Sequence, residues 1–72
     1  MIELLRSNDP VLLSFVEALL KEAGIEHALV DQHMSVVEGS LGILPRRMLV
    51  ATRQHESARR LLAEAGLAGE LS

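Results

Sequence analysis

The stretch "LLKEAGIEHALVD", Leu19 to Asp31, decides how the chain is read. It closes one kind of pattern and opens another. Gly24 suits the left-handed residue just beyond a helix end, and Ile25 supplies the apolar contact that follows such a stop. From Ile25 to Asp31 the chain alternates. Ile25, His27 and Leu29 fall on one face of a strand, and Glu26, Ala28 and Val30 on the other. The same ending returns in "LLAEAGLA" from Leu61, where Gly66 and Leu67 repeat the stop. Each copy closes a strand-helix unit. A true repeat would explain this, and so would convergence, because Leu, Glu and Ala favour helices and Gly ends them.

Upstream, "IELLR" at residues 2–6 alternates with Ile2 and Leu4 on one face, which predicts a short first strand. "SNDP" then carries helix-start chemistry. Asn8 or Asp9 can accept from an unpaired helical N–H, and Pro10 has no N–H to lose in the first turn. Leu12, Phe15, Val16, Leu19, Leu20 and Ala23 follow with helical spacing. This phase places Phe15 in the core, facing the sheet with Leu12, Leu19, Leu49, Leu61 and Leu62. Downstream, "RMLVAT" from Arg47 to Thr52 is apolar on both faces, as a central strand should be. A second helix is expected from about Gln54 to Ala65, with Ala58, Leu61, Leu62 and Ala65 as its stripe.

The order is strand-helix-strand, then strand-helix. That is the split βαβ pattern of ferredoxin-like α+β folds. Only "AGELS" remains after Leu67, so a fourth strand should be short or absent. The expectation is one α+β domain over residues 1–72, with a three-stranded antiparallel sheet and two helices on one face. The first strand would then be an edge, free to form a weak homodimer or to take a partner strand along residues 2–6.

A chain of 72 residues makes one domain, and such a chain buries only ~60% of its unfolded surface. It contains no cysteine, so neither a disulfide nor a thiolate metal site can staple it. Phe15 is the only aromatic residue. The start "MIELLRSNDP" lacks a long apolar run and carries acids early, unlike a signal peptide. No apolar run approaches the ~20 residues that span a bilayer. A soluble cytoplasmic protein is therefore expected, with no membrane role.

The net charge of -3 is unevenly spread. Residues 1–45 hold two basic against seven acidic side chains, a balance of -5. Residues 46–60 hold Arg46, Arg47, Arg53, Arg59 and Arg60 against Glu56 alone, a balance of +4. The plain reading is a set of solvated faces. The sharper one is a site for an anion or an acidic partner.

Between the second and third strands lies "DQHMSVVEGSLGILPRR". Ser35 and Glu38 have the spacing of a capping box, so residues 34–38 should form a short turn that Gly39 ends. As a crossover, the segment would be packed down by its own apolar residues. As a ligand lip, Gly39, Ser40 and Gly42 would let backbone N–H groups face an anion, and Arg46 and Arg47 would add a charge clamp. The glycines match no phosphate fingerprint.

Other chemistries find less support. His27, Asp31 and His33 suggest metal ligands, but no second cluster completes a set of four, so no metal or other cofactor is expected. Ser35, Ser40 and Ser57 lack the strained elbow that activates a serine, and no enzyme activity is expected. RNA recognition on a ferredoxin-like sheet needs aromatic platforms and a basic field. The chain has no Tyr or Trp and a negative net charge. Nucleic acid is set aside unless the five arginines form one patch.

The string "LLKEAGIEHALVDQHMSVVEGSLGILPRRMLVA…SARRLL" resembles a small bacterial family of putative signal-transducing proteins, distantly akin in fold to the nitrogen-regulatory PII proteins. The resemblance rests on "LLKEAGIEHALVD", "HMSVVEG", the "LP" before the third strand, and "A-x-x-LL" in the last helix. It implies a compact α+β domain of the bacterial cytoplasm and brings nucleotide or metabolite sensing into view. The chain departs from PII in lacking a long protruding loop and a clear fourth strand. Two functions are carried forward. One is a non-enzymatic sensing domain that binds a small anionic metabolite near the 31–47 loop. The other is a protein-interaction or oligomerisation module with an unknown protein partner and no small-molecule ligand.

Overall fold

The computed structural model describes residues 1–31 and 45–72. The chain runs β1 (Ile2–Ser7), α1 (Pro10–Glu22), β2 (His27–Asp31), β3 (Arg46–Val50), a 3-10 turn (Thr52–Gln54), α2 (His55–Glu64) and a second 3-10 turn (Ala68–Glu70). The sheet order is β1-β3-β2, with β3 antiparallel to both neighbours. This is the ferredoxin-like split βαβ arrangement, and the apolar third strand is central. The expected turn at residues 34–38 lies outside the described residues, as do Gly39, Ser40 and Gly42.

Both helices end in one device. After α1, the Gly24 N–H donates to the Lys21 carbonyl (3.1 Å) and the Ile25 N–H to the Leu20 carbonyl (2.9 Å). After α2, Gly66 donates to Ala63 (3.0 Å) and Leu67 to Leu62 (2.9 Å). These are paired Schellman bonds. Gly24 and Gly66 sit at φ 72° and 85°, where a Cβ would be strained. The motif uses up Ile25, so β2 begins at His27 rather than two residues earlier. At its other end α1 is capped by Asp9, whose Oδ1 accepts from the Val11 N–H (2.9 Å) and the Leu12 N–H (3.3 Å), with Pro10 in the first turn. No side chain caps α2.

The core contains Leu4, Leu5, Leu13, Val16, Leu20, Ile25, Met48, Val50, Ala58 and Leu62. Fully burying each large aliphatic side chain contributes about 1.5–3 kcal/mol. Phe15 is not among them. It is 48% exposed and corrects the expected helix phase. Leu13, Val16 and Leu20 form the arc that meets the sheet, and at 3.6 residues per turn Phe15 lies about 130° from its centre. Leu12 and Leu19 flank that arc and are half-buried. Leu49 also departs from expectation. It pairs with Glu3 and Ala28, one position out of step with buried Met48, and so faces away from the helices.

β1 departs from simple alternation. Its register with β3 slips between Glu3 and Leu5. The extra residue, Leu4, makes a β-bulge that turns two successive leucines into the core. The outer edge of β1 is partly occupied by the end of the chain. Leu71 forms an isolated bridge with Leu5, and the Ser72 N–H donates to the Leu4 carbonyl (2.9 Å). The fourth strand is thus reduced to a single bridge.

Candidate functional site at the far face of the sheet

The bulge at Leu4 also arranges polar chemistry. On a regular strand, residues three apart point to opposite faces. With one residue inserted, Glu3 and Arg6 share the face turned away from the helices. There the Arg6 guanidinium forks onto the Glu3 carboxylate, Nε to Oε2 at 3.1 Å and Nη2 to Oε1 at 3.0 Å. The Ser72 hydroxyl donates to the same Oε2 at 2.6 Å. These bonds, the Arg6 bond foremost, hold the Glu3 carboxyl below its ordinary pKa against an opposing push from burial, with still smaller help from the charges of Arg6 and Arg47. The Arg6 pKa is raised in return by Glu3.

Strand pairing brings in Arg47. It lies directly opposite Arg6 on one side and Val30 on the other. Two like charges facing across a sheet repel unless something offsets them. Glu3 answers Arg6. Arg47 Nε is out of contact with solvent and has no hydrogen-bond acceptor among the described residues. A buried donor left unpaired costs about 1–3 kcal/mol.

Arg46 and Arg47, expected to act together, are neighbours on one strand and therefore point to opposite faces. Arg46 pairs in register with Ser7 and Asp31, on the helix side. The arginine that stands beside Arg47 on its face is Arg6, across the strand pair. The sequence alone does not bring Arg6 and Glu3 to Arg47, because only the bulge and the register do so.

The remaining arginines are dispersed. Arg53 lies 3.5 Å from the Glu26 carboxylate. Arg59 Nη1 donates to the Ser72 carbonyl (3.2 Å). Arg60 lines a cleft of about 290 Å³ between α2 and the end of α1, with Ile25, Gln54, Leu61 and Glu64. Gln54 in that cleft is committed to the backbone, accepting from the Glu26 N–H (2.9 Å) and reaching the Gly24 carbonyl (3.4 Å). His27 Nδ1 donates to the Ile25 carbonyl (2.8 Å), and its Nε2 lies 3.5 Å from Glu17 of α1. His55 Nε2 contacts the Glu3 carbonyl across the bulge (3.3 Å). Among the described residues, no three His, Asp or Glu side chains gather to hold a metal ion, and no helix is long and apolar enough to cross a membrane.

No curated protein matches this chain. A family model described as "putative prokaryotic signal transducing protein" matches residues 1–66, and the chain therefore belongs to that family.

Proposed function

We propose that the protein is a small non-enzymatic sensing domain whose signal is a small anion held on the far face of the sheet by Arg6 and Arg47. The observation that carries the reading is the cross-strand arginine pair, with Glu3 bonded to Arg6 and a buried Arg47 Nε that has no acceptor among the described residues. An anion with several oxygens could accept from Arg47 and relieve its repulsion with Arg6, through the charge-assisted bonds that arginine forms with phosphate and carboxylate. The site lies at the end of β3 that the 31–47 connection enters, so Gly39, Ser40 and Gly42 remain candidates to add backbone donors. The family description names signalling rather than a reaction, which supports the non-enzymatic reading.

Thermal unfolding against inorganic phosphate, nucleotides and amino acids tests this. A ligand at 100 times its Kd should add about 2.7 kcal/mol of stability. The stabilisation should vanish in the Arg6→Gln/Arg47→Gln double variant. A flat response across all three ligand classes in the parent would contradict the proposal. The second reading, an interaction module, draws on α1.

A further inference from the structure

The outward face of α1 is unlike that of a helix that only covers a sheet. Val11 is 75% exposed and Phe15 48% exposed. Ala18 is exposed as well, so residues i, i+4 and i+7 form one apolar row opposite the buried arc. Glu22 extends the row at its C-terminal end. The row includes the chain's only aromatic side chain.

We infer that this row is an association surface whose occupant is the same row of a second copy, packed antiparallel about a two-fold axis. The register follows from size and charge. Set antiparallel, Phe15 of each copy falls opposite Ala18 of the other, so the largest side chain of the row meets the smallest. Glu22 of each copy then falls opposite Val11 of the other, at the positive N-terminal end of that helix. A two-fold axis makes every such contact twice. The Phe15–Ala18 fit and the Glu22 placement set the register, and the apolar row supplies the contact.

A second copy fits better than a lipid surface. Interfacial helices carry a basic rim. Here one Lys stands against Glu17 and Glu22, in a chain of net charge -3. It also fits better than pairing along residues 2–6, because Leu71 and Ser72 already bond to that edge.

Sedimentation equilibrium of the full chain, from micromolar to millimolar, tests the inference. The parent should approach twice the monomer mass as concentration rises. Phe15→Gln and Ala18→Glu should each weaken association at least tenfold while keeping the parent's helical circular dichroism. Arg6→Gln/Arg47→Gln should associate like the parent, which separates this surface from the anion site. A single monomer mass up to millimolar parent overturns the inference. So does association of both α1 variants within tenfold of the parent, or loss of association in the arginine variant alone.

Discussion

The two helices are built alike toward the sheet and unlike toward solvent. Each buries one aliphatic stripe, Leu13, Val16 and Leu20 on α1, and Ala58 and Leu62 on α2. Each stops at a glycine with positive φ followed by an apolar residue. Outward, α2 shows Glu56, Arg60 and Glu64, the mixed charge of a solvated face. α1 shows Val11, Phe15 and Ala18. Since α2 covers its part of the sheet with no apolar surplus, the fold does not require one on α1. Isolated exposed apolar residues need no explanation, but a continuous row is the kind of surface that marks a contact.

The largest effects should confirm the shared half of this comparison. Leu20→Ala and Leu62→Ala each empty a fully buried site and should cost about 2–5 kcal/mol in urea unfolding. A much smaller loss for one of them would mean that its helix does not seal the core. Next come the stops. Gly24→Ala and Gly66→Ala place a Cβ in open space but at positive φ, so the loss is torsional, about 1–2 kcal/mol each. Unequal losses would break the equivalence of the two ends. The helix starts should differ instead. Asp9→Ala should cost about 1 kcal/mol, because α1 alone has a side-chain cap.

Smaller still is the acid response on the far face. The Glu3 pKa is depressed in the folded state, so its contribution is present above the ordinary carboxylate range and lost as pH falls through the depressed value. Urea unfolding across that range should show a shallower acid-side decline in Glu3→Gln than in the parent. Identical declines would mean that the Arg6 fork does not persist in solution. Because Glu3 is far from α1's outward row, this substitution should leave association unchanged.

What was legible in the sequence was local. Gly24 with Ile25, and Gly66 with Leu67, specify torsions and a contact within a few residues, so both helix ends could be read directly. Asp9 and Pro10 are equally local. The central position of β3 followed from apolar residues on both its faces. The bulge was not legible, because "ELL" fits simple alternation until β3 sets the register. Without the bulge, Glu3 and Arg6 appear on opposite faces, and the Arg6–Arg47 pair cannot be anticipated. Phe15 misled for a different reason. Leu12 and Leu19 border both apolar arcs of α1, so a stripe drawn through them can include Phe15 or Leu13. The sheet selects Leu13. Arg47 stood out in the sequence by its charge and place, whereas the arginine opposite it depended on pairing across the chain.

The central claim is that the outward row of α1 is surplus to the fold. Equilibrium urea unfolding of Phe15→Gln at dilute, monomeric concentration tests it most directly. Gln is a good helix former, and a half-exposed side chain is replaced. Stability should stay within about 1 kcal/mol of the parent, well short of the loss in Leu20→Ala. A loss of about 3 kcal/mol or more, the scale of an emptied aromatic core site, would show that Phe15 holds the monomer together and would contradict the account.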